Sequence, residues 1–231
     1  MKAQKPQQRP FDAVNGPARS LLSLPAAARA FWRQPTPWML AAMIVVTAAA
    51  RLLAGDWRLS DALVPVAVLA VFPFVEWVIH VCVLHWRPRS VRGVTLDSRL
   101  ARSHRAHHAD PKNVALIFIP WQTLSMVIPA LAVLSLLAFP RLGLALTFLL
   151  TMSIIGLVYE WMHYLIHSNY RPRSRVYRAI WRNHRNHHFK NEHYWFTVTT
   201  SGTADRVLGT FPDPKSVQTS PTAKNLHLTT G

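Results

Sequence analysis

Cysteine is nearly absent: Cys82 is the only one in 231 residues. This excludes an internal disulfide and a cysteine zinc framework, and its place in an apolar run predicts a packed thiol without a chemical role. Acidic residues are also scarce, 10 against 26 Lys and Arg, for a formal net charge of +16. Charged residues make up 16% of the chain and hydrophobic ones 50%, a low charge load for a soluble domain. The basic residues alternate with long apolar runs, so anionic lipid headgroups are the expected counterpart and nucleic acid is not. No Ser-His-Asp set, P-loop or dinucleotide fingerprint is present, which leaves hydrolysis and nucleotide chemistry without support. The opening Met1–Arg9 is basic but lacks the apolar core of a cleaved signal peptide.

What is present is apolar length. Four segments, Pro37–Ala54, Ala62–Leu84, Val114–Phe139 and Leu142–Ile166, each approach the ~20 residues a spanning helix needs. Pro65, Pro73, Pro120 and Pro129 are expected to kink them, as prolines commonly do in spanning helices. The expected fold is all-α: a polytopic membrane protein with about four transmembrane helices in two hairpins and a helical, histidine-rich cytoplasmic cap. Residues 1–36 are expected as a basic, disordered N-terminus, with 1–20 the least ordered; 37–212 form the membrane domain and 213–231 a flexible tail. Of the 26 Lys and Arg, 23 fall before the first segment, in the central loop or after Ser168. The positive-inside rule then puts both termini and the central loop in the cytoplasm.

Ten of the twelve histidines fall in four groups on that same side: His80 and His85; His104, His107 and His108; His163 and His167; His184, His187 and His188. Residues at i, i+3 and i+4 share one helix face, so each His-x-x-His-His triplet can turn its imidazoles toward one region. His80 and His85 are five apart and diverge by ~140° on an ideal helix, so this pair requires a bent helix end or serves two different metals. A lone intramembrane histidine is more often a hydrogen-bonded core residue than a ligand. A basic face binding lipid phosphates explains arginine clusters but not neutral imidazoles at helical spacing.

Ten nitrogen ligands exceed the needs of one tetrahedral zinc, and no His-Glu-x-x-His pattern occurs, so two six-coordinate metals with open positions fit better. Imidazole accepts iron, zinc, copper and nickel alike, so iron is favoured on the chemistry expected rather than on ligand type. Haem would need one or two deeper axial ligands each. A membrane metal transporter or metal-binding protein is the alternative class, although its ligands would line a path through the bilayer rather than gather at one face.

Glu76-Trp77-Val78-Ile79-His80 with His85, then His104-Arg105-Ala106-His107-His108, His163-Tyr164-Leu165-Ile166-His167 and His184-Arg185-Asn186-His187-His188 resemble, in order, the four histidine boxes of the fatty acid hydroxylase superfamily, which includes sterol desaturases. Asp205-Arg206-Val207-Leu208-Gly209-Thr210 is similar to the family's closing signature, and the likeness runs from about Glu76 to Thr210. The resemblance implies a membrane enzyme with two iron ions (zinc as an isolated form) that uses O2 and external electrons to hydroxylate or desaturate a fatty acyl, sterol or related lipid. It also implies that the ten clustered histidines are the ligands. Fatty acid 2-hydroxylases often carry a cytochrome b5 domain. The ~36 residues before the first segment are too few for one, so electrons are expected from a separate cytochrome b5-like or ferredoxin-like partner. His193 is expected behind the ligands rather than among them.

A further regularity is internal. Glu76-Trp77-x-x-His80, Arg87-Pro88-Arg89-Ser90 and His104-Arg105-x-His107-His108 are echoed by Glu160-Trp161-x-His163, Arg171-Pro172-Arg173-Ser174 and His184-Arg185-x-His187-His188. This predicts a pseudo-symmetric pair of sites, each fed by one hairpin. Glu76 and Glu160 lie one turn inside the first histidine of each box, where an unpaired carboxylate would be costly. Both are expected to accept ring N–H groups of the ligating histidines. Trp77, Trp161 and Trp181 read first as interfacial residues and second as the lining of a substrate path. His80 precedes Arg87 by seven residues, ~10 Å of helix, which places the site near the headgroups and favours oxidation close to a lipid's polar end.

Overall fold

A computed structural model describes residues 21–226; the expectation of disorder over residues 1–20 falls outside that range. The four apolar runs form four spans at 35–54, 59–84, 114–138 and 142–167, each long and apolar enough to cross a membrane. A short helix α1 (Leu24–Phe31) precedes the first span, α2 (Pro35–Ala54); the second is α3 (Leu63–Ile79) with a 3-10 turn before it and a π turn after it. A small hairpin, β1 (Arg89–Val91) and β2 (Val94–Leu96), and α4 (Arg99–Ala109) lead to the third span, formed by α5 (Val114–Ile117) and α6 (Trp121–Ala138). The fourth span is α7 (Leu142–His167), followed by α8 (Arg175–Phe189) and α9 (Thr203–Val207). The result is an all-α polytopic membrane protein, since the two three-residue strands are a local hairpin closed through Arg92 and Gly93 at positive φ.

α7 is the central element. α2, α3 and α6 all pack on it, and α2 packs along α7 rather than along α3, the neighbour expected as its hairpin partner. Gly156 permits this approach: a Cβ there would sit 3.1 Å from Leu40 Cδ2, the small-residue contact that apolar helices use in lipid. At the ends remote from the histidines, Arg51 is buried (1% exposed) within α2. It pairs with Asp61 (2.8 Å) and Asp56 (3.1 Å) and donates to Thr147 (3.1 Å), while Arg141 pairs with the same two aspartates. This network joins the loop after α2 to the start of α7. An intramembrane arginine persists only with such partners.

The prolines behave differently from one another. Pro65 lies in the first turn of α3, where a missing N–H costs nothing, whereas Pro73 and Pro129 lie inside helices. Pro120, expected as a kink, follows a full break between α5 and α6, because the residue before a proline is driven out of the helical region. Cys82 is exposed on the π turn and not packed as expected, since that turn gives its buried side to His80.

Both flanks are more ordered than their composition suggested. α1 is capped by Ser23 and buries Ala27 and Phe31 against Ile117, Phe118, Tyr164 and Leu165, covering the α5–α6 break. The stretch expected as a flexible tail folds back as far as residue 226: Ala223 is 3% and Leu226 0% exposed. A tail of mixed polarity reads as disordered until it has a cap to cover.

Gly202 begins α9 at φ +96, and a Cβ there would lie 2.3 Å from the Phe211 ring, which Arg206 covers at 3.7 Å. Gly202→Ala should therefore lower stability by about 2 kcal/mol or more through backbone strain and overlap, read as a reduced thermal midpoint in detergent. An unchanged midpoint would contradict this packing.

Candidate metal centre

The ten clustered histidines form two buried groups of five. One holds His80, His85, His104, His108 and His187; the other holds His107, His163, His167, His184 and His188; within each, one nitrogen per ring lies within 4.8 Å of all the others. Each triplet divides the same way. Its i and i+4 members, His104 and His108 or His184 and His188, join the pair from one span, and the i+3 member, His107 or His187, crosses to the other group. The π turn settles the five-residue spacing of the first box. His85 N–H bonds to His80 O (3.0 Å), an i to i+5 bond that widens the turn and brings both rings into one group, as such bulges often do at functional sites. The bent end expected for this pair is found, and the two residues serve one group rather than two metals.

Ring nitrogens face one another at short range. Nε2–Nε2 separations are 3.2 Å for His80–His104, His104–His108 and His107–His167, and 3.0 Å for His167–His184 and His184–His188. Two nitrogens at right angles, each about 2.1 Å from a common ion, lie about 3 Å apart, so these edges fit a shared cation. Five imidazoles exceed a tetrahedral set and leave one position of six open.

Tautomers follow from the partners, because a carbonyl can only accept. His80 Nδ1–H donates to Phe196 O (2.6 Å), His163 Nδ1–H to Ile117 O (2.8 Å), His108 Nδ1–H to Ala223 O (2.9 Å) and His187 Nδ1–H to Tyr194 O (2.9 Å). Nε2 of each is then the bare nitrogen, turned into the group. The buried Nε2 atoms of His163 and His187 have no hydrogen-bond partner, which suits a lone pair awaiting a metal. In the cap outside the spans, burial and then neighbouring imidazoles hold His104, His107, His184, His187 and His188 well below the usual histidine pKa. The rings are neutral and available as ligands.

The other predicted residues lie nearby in different roles. Glu76 and Glu160 are buried but bind main chain rather than imidazole. Glu76 accepts from Val198 N (2.7 Å), Thr199 N (3.1 Å) and Thr199 Oγ1 (2.5 Å), and Glu160 from Ile119 N (2.9 Å). The expectation that they receive ring N–H groups is thus corrected: backbone carbonyls do so. His193 belongs to neither group; its side chain is 55% exposed, with Nε2 3.6 Å from Glu192. Trp77 donates to Thr210 (2.9 Å), Trp161 packs edge-on against Phe31, and Arg185 covers Trp181.

Sequence reasoning missed Glu192 and gave Asp205, quoted only within the closing signature, no role of its own. Asp205, 1% exposed, accepts from Phe196 N, Thr197 N, Thr197 Oγ1 and Thr210 Oγ1 at 2.6–3.0 Å. It thereby holds the loop on both sides of the Phe196 carbonyl, next to Trp195 at φ 57. That is a left-handed conformation a bulky residue keeps only when its surroundings enforce it. Glu192 accepts from Ser220 (2.9 Å) and Thr222. The scarcity of acids, ten in the chain, was the signal that could have singled both out.

Four spans carrying two five-histidine groups at one end define a multi-pass membrane protein of the histidine-box class. The fatty acid hydroxylase family model matches residues 65–210, and the chain belongs to that family. It is 28% identical over 190 residues to dihydroceramide fatty acyl 2-hydroxylase FAH1 of Arabidopsis thaliana, covering 80% of this chain and 75% of that one. It is 27% identical over 188 residues to FAH2 of the same plant, with the same coverage. The solved structure of full-length Scs7p, in which only the hydroxylase domain is visible, shares the fold at TM-score 0.65 and 19% identity, over 80% of this chain and 68% of that one.

The buried neutral rings make a pH prediction. Unfolded imidazoles take up protons near pKa 6.5, whereas the five cap histidines, held well below it, do not. The unfolded state therefore binds more protons, and stability of the metal-stripped chain should fall as pH drops below about 6.5. Denaturation midpoints measured from pH 5 to 8 should rise and then level; a flat profile would contradict burial of neutral rings.

Proposed function

We propose that this membrane lipid hydroxylase is a di-iron oxygenase that uses O2 and external electrons to hydroxylate an acyl chain near its polar end. The observation that carries the reading is the division of ten buried imidazoles into two five-nitrogen groups at one end of four spans, with family membership supplying the lipid hydroxylase class. Ligands gathered at one end, rather than along a path through the bundle, favour this reading over metal transport.

The residues have separate tasks. The His80 group and the His107 group would each hold one ion and leave a coordination position open. Bound iron would supply dioxygen activation and electron uptake. The carbonyls of Ile117, Tyr194, Phe196 and Ala223 hold the Nδ1 protons of their histidines, which keeps Nε2 unprotonated and aimed inward. Burial of all ten rings keeps water from the reacting region.

His80 and His163 lie within the last turns of their spans, so a lipid seated by its headgroup presents carbons near that headgroup. The relatives named fatty acyl 2-hydroxylases support the 2-position of an acyl chain. The positive-inside pattern supports a cytoplasmic site and termini. Electrons would come from a separate cytochrome b5-like or ferredoxin-like donor.

Anaerobically purified protein in detergent should contain near two irons per chain, and the His187→Ala, His188→Ala double variant, which removes one ligand from each group, should lose them. Cells expressing the wild type should accumulate 2-hydroxylated acyl chains and those expressing the variant should not. Metal-free protein would refute the di-iron reading, and mid-chain hydroxylation would refute the regiochemistry.

A further inference from the structure

Three carboxylates away from the ligand set share one arrangement. Glu76 binds the main chain of Val198 and Thr199, and two residues before Val198 the Phe196 carbonyl receives His80. Glu160 binds Ile119 N, and two residues before it the Ile117 carbonyl receives His163. Glu192 binds the hydroxyls of Ser220 and Thr222, and the next carbonyl, Ala223 O, receives His108. All three acids are at most 5% exposed, and all three carbonyl-bearing segments are non-helical at the residue concerned or end a helix there. Such backbone has no neighbouring turn to fix its carbonyl directions.

We propose that Glu76, Glu160 and Glu192 are positioning residues of the metal centre, each fastening an irregular segment so that its carbonyl holds the Nδ1–H of one ligating histidine. The proposal rests on the reading that the two histidine groups bind metal. The carboxylate acts at one remove: it fixes the segment, the segment fixes the carbonyl, and the carbonyl fixes ring orientation and tautomer. A loosened carbonyl lets the ring rotate or shift its proton to Nε2, which removes a ligand. Partners behind a metal ligand set its affinity by 10–100-fold, so loss of one anchor is expected to weaken one ion about tenfold.

The arrangement assigns each acid to a group. Glu76 and Glu192 act on the His80 and His108 group, whereas Glu160 acts on the His163 group. The 213–226 stretch thereby becomes part of the centre, since it carries the Ala223 carbonyl. Glu160 also explains how a broken helix is tolerated at α5–α6: the Ile119 N–H and the Ile117 carbonyl released by the break both have partners, as buried backbone in a membrane requires.

The test is release of Fe2+ from anaerobically loaded, detergent-solubilised full chain to a colorimetric chelator, with ions counted per chain. Glu76→Ala and Glu160→Ala should each loosen one of two ions about tenfold and leave the other slow. Glu76→Ala combined with His85→Ala, in the same group, should still spare the second ion, whereas Glu76→Ala combined with His167→Ala should loosen both. Glu160→Gln, whose amide oxygen still accepts from Ile119 N–H, should restore most of the retention. Should an alanine variant fail to accumulate, Thr222→Val carries the test: it removes one of the two hydroxyls by which Glu192 holds the tail and should loosen the ion of the His108 group alone. Two ions loosened equally in step with a lowered thermal midpoint, or retention unchanged in Thr222→Val and the Glu variants, would overturn the positioning role. A wild type that binds no Fe2+ would overturn the metal reading beneath it.

Discussion

The structure depends on packing ten imidazoles into a space where several ring centroids are 4–5 Å apart. Two protonated rings 5 Å apart would repel by roughly 3 kcal/mol at an effective dielectric of about 20, and each would also lose hydration. Neutral rings avoid that cost but bring another: each buried ring has two nitrogens to satisfy. Main-chain carbonyls take the Nδ1 protons of His80, His108, His163 and His187, and Nε2 atoms of His80, His104, His107, His108, His167, His184 and His188 face one another within the groups. The arrangement is tolerable without a cation and complementary to one.

Much of the surrounding fold follows from supplying those carbonyls. Helices and ladders spend their carbonyls on themselves, so the acceptors come from breaks: the α5–α6 interruption, the 194–199 loop and the folded-back tail. Each break must be stabilised in a poorly solvated place. Glu160 with the α1 cover, Glu76 with Asp205, and Glu192 with the hydroxyls of Ser220 and Thr222 serve the three breaks in turn. Glu76, Glu160 and Asp205 bind N–H groups of the irregular backbone and Glu192 binds hydroxyls of the tail, while Arg51 and Arg141 use Asp56 and Asp61 to lock the opposite ends of the spans.

The internal echo in the sequence has a limited structural meaning. It holds for the ligand sets, where both triplets split by the same rule, and for Glu76 and Glu160, which both fasten segments that receive the first histidine of a box. It fails for the Arg-Pro-Arg-Ser runs: Arg89 and Ser90 enter β1, whereas Ser174 caps α8. It also fails for the helices, since α2 leaves α3 to pack on α7. Sites under the same chemical demand kept a common pattern; loops and helix partners had no such demand.

The sequence by itself determined the four spans, within a few residues, and the ten histidines, because apolar length and 3.6-residue spacing are local properties written in consecutive residues. Family membership was legible for the same reason: four boxes in order are a local pattern repeated. The tertiary structure alone decided which histidines share a group, since His107 and His187 each join the group opposite to that of their own triplet, and that His80 and His85 meet through a π turn. It also decided the partners of Glu76 and Glu160, and it drew residues 213–226 into the cap. These depend on hydrogen bonds between residues up to 123 positions apart, and no spacing rule reaches that far, because the carbonyl a histidine finds is set by where another segment breaks.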